Sequence, residues 1–86
     1  MKKTLILSLA VIAAPFAAFA MPAVGDHVGT NPTDASAALE KAGCTVSEFE
    51  AEGGKIEAKC MDAEKAHWEV YIDPTSGDVT RVKAGD

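Results

Sequence analysis

The first twenty residues decide how much of this 86-residue chain is available to fold. Lys2 and Lys3 precede an uncharged run over residues 4–20, which closes on Ala18-Phe19-Ala20. A basic start, an apolar run and small residues before the cut are typical of a secretory signal peptide. We therefore expect residues 1–20 to be a signal peptide that is removed, and residues 21–86 to be periplasmic or secreted.

A retained membrane anchor is the alternative for the same segment. The uncharged run has only 17 residues and is interrupted by Pro15, whereas a helix that spans a bilayer needs about 20 apolar residues. Met21, not a cysteine, follows the expected cut, so the sequence does not predict a lipid anchor either. We expect no membrane association once the signal peptide is removed.

The remaining 66 residues are acidic and poor in large apolar side chains. They carry six Lys and Arg against thirteen Asp and Glu, a formal net charge of −7, and only fourteen large apolar or aromatic residues. So small a core leaves no room for a buried cofactor, and we predict none. A negative surface repels nucleic acid and anionic membranes, which excludes both as partners.

Cys44 and Cys60 are the only cysteines. In an oxidising compartment such a pair predicts a disulfide. The chain has no Cys-x-x-Cys motif, and two distant histidines do not give zinc-finger spacing. The sequence therefore predicts a structural Cys44–Cys60 bond and no metal site.

The disulfide also predicts how the first two strands pair. A two-residue turn at Gly53-Gly54 would set Cys60 opposite Ser47 and leave the two cysteine Cα atoms about 10 Å or more apart, which is too far. A three-residue loop over residues 51–53 avoids this problem. That loop predicts three facing pairs: Cys44 with Cys60, Val46 with Ala58, and Glu48 with Ile56.

The pattern of the remaining residues predicts an α+β fold. Asn31 is a good N-cap, Pro32 suits the first helical position, and Gly43 suits the end of a helix. Apolar alternation and turn residues then predict strands near residues 44–50, 55–61, 67–73 and 79–83. We expect a flexible leader over residues 21–31 and one domain over residues 32–86, a short helix packed on an antiparallel meander of about four strands.

Phe49 does not fit the alternation of the first strand, since Cys44 and Val46 would face one side and Phe49 the other. A bulge near Glu48 would return Phe49 to the core. Otherwise Phe49 is exposed beside Met61 and Tyr71. The residues proposed to contact a partner are Phe49, His67 and Tyr71, whereas Trp68 is assigned to the core.

These segments resemble the PepSY domain. The resemblance covers residues 32–83 and rests on a helix that ends at Ala42-Gly43, on CTVSEFE at residues 44–50, on IEA at 56–58, on WEVYID at 68–73, and on TSGDV at 75–79. It implies a helix on an antiparallel meander, and a role in regulating or inhibiting peptidases. The family pattern contains no catalytic residues to carry over, and the cysteine pair is not a general feature of the family.

Enzyme motifs are missing from the sequence. It contains no His-Glu-x-x-His, no phosphate-binding glycine loop and no Gly-x-Ser-x-Gly. We therefore predict that the protein is not an enzyme but an exported protein-interaction domain that modulates or inhibits a peptidase or another envelope protein. The alternative is a structural or accessory periplasmic module, or a weak ligand or metal sensor in which His67 acts with Glu69 or Asp73.

Overall fold

The computed structural model describes residues 21–85. It contains one helix, α1 (Pro32–Lys41), and four strands, β1 (Thr45–Glu52), β2 (Lys55–Met61), β3 (His67–Ile72) and β4 (Val79–Ala84). The strands form one antiparallel sheet in the order β1-β2-β3-β4. The α+β prediction of a helix and a four-stranded meander is thereby confirmed. No helix within residues 21–85 is long and apolar enough to cross a membrane; the predicted signal peptide lies outside this range.

Helix α1 begins as its sequence predicts. The Asn31 side chain accepts a hydrogen bond of 2.8 Å from the backbone N–H of Asp34, and Pro32 occupies the first turn, where its missing N–H costs nothing. At the other end Gly43 adopts a φ of 101°, a left-handed conformation that ends helices and favours glycine. The helix therefore stops just before the first cysteine.

The core lies between α1 and one face of the sheet. Ala35 and Leu39 are the buried helical residues, and Leu39 is fully inaccessible. They meet apolar side chains that alternate along the strands and include Ile56, Ala58, Val70, Ile72 and Val79. The helix and the sheet each contribute one layer of side chains, so the hydrophobic contribution of this core to stability is small.

The predicted disulfide is present. Cys44 and Cys60 are bonded, with their Cα atoms 5.2 Å apart, and both side chains are buried. Cys44 lies three residues after the end of the helix at Lys41, and Cys60 lies on β2, an inner strand. The bond therefore fixes the end of α1 to the middle of the sheet.

The turn between β1 and β2 differs from the predicted three-residue loop over residues 51–53. Glu52 pairs with Lys55, so the turn has two residues, Gly53 and Gly54, with φ of 60° and 79°. Two successive left-handed residues define the hairpin turn whose twist matches that of the flanking strands. The loop prediction was wrong because it assumed a regular ladder between this turn and the cysteines.

The predicted pairing of β1 with β2 was wrong for the same reason. Cys60 pairs with Val46, and a bulge between Val46 and Glu48 takes up one residue at Ser47. Cys44 lies before β1 begins, where the chain leaving the helix bends towards Cys60. Its position is therefore not fixed by the regular spacing of paired strand residues. The two other predicted pairs, Val46 with Ala58 and Glu48 with Ile56, are also not formed.

The bulge settles the position of Phe49. It shifts Phe49 opposite Ala58, whose side chain is fully buried, and Phe49 is partly buried against the core. The expectation that a bulge near Glu48 returns Phe49 to the helix side is confirmed. The alternative, Phe49 beside Tyr71 on the other face, is wrong.

The segment before the helix makes contacts that the sequence did not predict. The N–H of Gly25 donates to the carbonyl of Val79, and the N–H of Val79 donates to the carbonyl of Asp26, both at 2.8 Å. Val28 is 8% exposed and belongs to the core. Residues 25–28 therefore extend the sheet beside the start of β4.

The turn between β3 and β4 holds this segment. The Asp73 carboxylate accepts hydrogen bonds from the backbone N–H groups of Thr75 (2.7 Å) and Ser76 (3.0 Å). Gly77 is buried, has a φ of 79°, and accepts hydrogen bonds at its carbonyl from the N–H groups of Val28 and Gly29. The predicted turn with a left-handed glycine is confirmed, and it also binds the N-terminal segment.

Substitution of Gly77 separates backbone strain from close packing. Gly77 and Gly54 share a φ of 79°, but an added Cβ would lie 2.9 Å from the Cα of Gly29 at position 77 and would meet nothing within 4 Å at position 54. In each alanine variant the left-handed conformation costs about 1–2 kcal/mol of stability. We expect Gly77→Ala to lower the free energy of unfolding by about 2 kcal/mol more than Gly54→Ala does, because the backbone at Gly29 must move to accept the added Cβ. Urea unfolding, monitored by the fluorescence of Trp68, measures both values. Equal losses would show that the segment does not pack against the turn.

Candidate functional site

The face of the sheet opposite α1 is polar. Its side chains are those that alternate with the core residues, and we call this surface the outer face; it comprises Glu48, Glu50, Glu52, Lys55, Glu57, Lys59, Met61, His67, Glu69, Tyr71, Arg81 and Lys83. Only Met61 among them is aliphatic. The alternation that fills the core on one side therefore sets charged groups in a plane on the other.

One row of this face alternates in charge across all four strands. Glu48 lies opposite Lys59, Lys59 opposite Glu69, and Glu69 opposite Lys83. The Nζ–Oε1 distances are 4.0 Å for Lys59–Glu48 and 3.6 Å for Lys83–Glu69. Exposed pairs of this kind contribute only about 0.2–1 kcal/mol each. The two glutamates and two lysines of this row nevertheless neutralise one another, so the row has no net charge.

The two sides of the outer face differ in charge. The charged β1 residues on it are all glutamates, whereas the charged β4 residues are Arg81 and Lys83. The pKa of Glu50 is raised by a hydrogen bond with Glu48 and by the negative charge of that neighbour. The face is therefore acidic towards β1 and basic towards β4.

Tyr71 lies on β3, between these two sides, and is half-buried. Its hydroxyl donates to Oε1 of Glu69 at 3.2 Å. The Nζ of Lys55 and the Cζ of Arg81 each lie 5.7 Å from the centre of its ring, within range of a cation–π interaction. Burial, the bond to Glu69 and the charges of Glu57 and Glu69 together raise the pKa of Tyr71.

A shallow cleft opens beside Tyr71. Its volume is about 290 Å³, and it is lined by Gly54, Lys55, Tyr71, Ile72, Asp73, Pro74, Thr80 and Arg81. Asp73 is the carboxylate of this cleft, and its hydrogen bonds from Ser76 and Thr75 lower its pKa. The cleft is therefore built from a tyrosine ring, two cations and a carboxylate that already accepts hydrogen bonds within its own turn.

The three residues proposed to contact a partner are not brought together. His67 and Tyr71 lie on the outer face, whereas Phe49 lies on the side of the helix. Lys55 and Arg81 were not singled out from the sequence. Arg81 lies opposite Tyr71 because a register shift between β3 and β4 takes up one residue at Thr80, and regular pairing from the turn would not have predicted this.

Trp68 lies on the core side, as assigned. It is partly buried against the core, and its indole N–H donates to Oδ2 of Asp62 at 2.9 Å. This bond, with those from the backbone N–H groups of Ala66 and Glu64, lowers the pKa of Asp62. Trp68 therefore anchors the link between β2 and β3.

Across residues 21–85, no group of three His, Cys, Asp or Glu side chains is placed to hold a metal ion. His67 belongs to a smaller cavity of about 130 Å³, lined also by Lys59, Trp68, Glu69 and Gly85. His67 and Glu69 are the two residues of this lining that commonly bind metals. The predicted absence of a metal and of catalysis remains a prediction.

Comparison with known proteins gives one finding. The family model described as "Peptidase propeptide and YPEB domain" (PepSY) matches residues 3–83, nearly the whole chain. Neither the curated proteins nor the solved structures contain a match.

Titration of Tyr71 tests the arrangement of the outer face. Tyr71 is the only tyrosine, so tyrosinate absorbance reports it alone. We expect a midpoint above the ordinary 10.0, and a lower midpoint in Glu69→Gln, because that change removes a charge and weakens the acceptor. Since the folded pKa is the higher one, the associated stability is lost as pH rises through it, and circular dichroism should confirm that the protein remains folded.

Glu64→Gln, an exposed change in the link before β3, provides the control and should leave the midpoint unchanged. A Tyr71 midpoint at or below 10.0, or one insensitive to Glu69→Gln, would contradict the described contacts.

Proposed function

The chain belongs to the PepSY family, and from this premise we propose that it is an exported, non-catalytic domain that modulates or inhibits a peptidase or another envelope protein by direct contact. The family description associates the domain with peptidase propeptides. A propeptide domain acts by covering a surface of the enzyme, so the relevant chemistry is recognition and not bond cleavage.

The observation that carries this proposal is the position of Tyr71 on the outer face. Helix α1 packs on the other face, where Ala35 and Leu39 are buried, and leaves the tyrosine ring accessible between two cations. Tyrosine and arginine are the residue types most enriched at the energetic centres of protein interfaces. The charged rows around them supply the polar rim that such centres have.

Export and the disulfide support the same proposal. A protein that meets envelope peptidases must leave the cytoplasm, and the predicted signal peptide provides for this. The buried Cys44–Cys60 bond suits an oxidising compartment.

The test uses the protein expressed from its full 86-residue sequence and purified in oxidised form. At stoichiometric concentration it should slow at least one envelope peptidase of its own organism. Tyr71→Thr should weaken that inhibition about tenfold or more, which corresponds to 1.4 kcal/mol or more at an interface centre.

Val24→Ser is the matched control, since Val24 is 66% exposed and lies in the N-terminal segment, outside the strands that form the outer face. It should leave inhibition unchanged. No slowing of any metallo- or serine peptidase from the envelope would remove the inhibitory function and leave an accessory role. Equal effects of the two variants on inhibition would show that the outer face is not the contact surface.

A further inference from the structure

Two cations of the outer face have no carboxylate partner within the described residues. Among residues 21–85, the ion pairs join His27 with Asp78, Lys59 with Glu48, and Lys83 with Glu69. Lys55 and Arg81 form none of these, although the chain as a whole carries a net charge of −5. Both are exposed and both lie against the same tyrosine ring. Positive charge is therefore concentrated at one point of an acidic protein.

The nearby carboxylates are already engaged. Asp73 accepts two backbone N–H groups of its own turn, and Glu69 accepts the Tyr71 hydroxyl while it pairs with Lys83. Glu52 pairs with Lys55 across the hairpin in the backbone ladder, but their side chains form no ion pair. The cations of the cleft are thus available to an external anion.

The shape of the cleft suits one small, flat anionic group. Its volume of about 290 Å³ is at the lower limit for small-molecule pockets, which occupy roughly 300–1,000 Å³. A guanidinium can hold a carboxylate through two parallel hydrogen bonds, and an ammonium can neutralise the same group from another side. The Tyr71 ring provides an apolar floor for the methylene groups that carry a side-chain carboxylate.

We propose that the cleft formed by Lys55, Tyr71 and Arg81 binds an Asp or Glu side chain on an exposed segment of the partner protein. This inference rests on the proposed function, in which the outer face is the contact surface. The charge of the cleft selects the occupant: the β1 side of the face repels an acidic segment, and the β4 side attracts it. An acidic partner segment therefore docks over β3 and β4, with Lys55 at the start of β2 on its β1 side.

The experiment uses an acetylated Ala-Glu-Ala amide as the probe and the matching Ala-Gln-Ala amide as its neutral counterpart. Amide chemical shifts of the isotope-labelled protein are followed by NMR. The acidic peptide should shift the amides of Gly54, Tyr71 and Arg81 with millimolar affinity, and binding should weaken as salt screens the charges. The neutral peptide should bind about tenfold more weakly or not at all.

A charge-matched pair of variants locates the site. Lys55→Gln/Arg81→Gln should lose the response to the acidic peptide. Lys41→Gln/Lys65→Gln removes the same two charges from exposed positions on the helix and on the link between β2 and β3, and should keep the response. The amide spectra of both variants also show whether each one is folded.

The inference is overturned if the acidic peptide causes no shifts at the cleft, if the neutral peptide binds equally well, or if the cleft variant keeps the response. Inorganic phosphate that binds while the peptide does not would likewise overturn the assignment to a carboxylate. Peptidase inhibition without peptide binding would refute the cleft alone. Peptide binding without inhibition of any peptidase would refute the inhibitory function alone.

Discussion

The disulfide between Cys44 and Cys60 is the interaction on which the rest of this fold depends. It joins the short segment after α1 to an inner strand, and both cysteines lie in the core. A cross-link across 16 residues stabilises the folded state by about 3 kcal/mol, whereas a core this small supplies no more than about 3–5 kcal/mol. The bond is therefore comparable in magnitude to the whole margin of stability.

This constraint explains why one face of the sheet can remain open. The disulfide and the buried helical residues Ala35 and Leu39 hold α1 on one side, so the other side needs no cover. Residues 25–28 protect the start of β4 through backbone hydrogen bonds and leave the outer face accessible. Tyr71 and the two outer-face cations without an ion pair in the part of the chain that the structure describes, Lys55 and Arg81, are then available for the proposed recognition, because stability is provided elsewhere.

The sequence was sufficient for those parts of the fold that local chemistry determines. Asn31 and Pro32 mark the start of the helix, Gly43 marks its end, and strict alternation marks β2 and β3. The disulfide follows from the compartment and the cysteine count. Each of these signals comes from neighbouring residues and does not require the path of the whole chain.

The register of β1 and the place of the N-terminal segment could not be read in this way. Predicting that Cys44 faces Cys60 treated the ladder as regular, but a bulge at Ser47 and a bend after the helix bring the cysteines together. Val28 enters the core through contacts with Gly77, nearly fifty residues away along the chain. For the candidate site, the sequence indicated Tyr71 and His67 but not Lys55 or Arg81. The approach of Lys55 to Tyr71 depends on the pairing of β2 with β3, and that of Arg81 depends on a register shift between β3 and β4.

The central claim, that the disulfide holds the helix on the sheet, is tested most directly by the free energy of unfolding of the Cys44→Ala/Cys60→Ala protein. We predict a loss of about 3 kcal/mol relative to the oxidised protein. In native-state hydrogen exchange, the amides of α1 should lose protection before those of β2 and β3. An unchanged free energy of unfolding, with α1 as protected as the strands, would contradict this account.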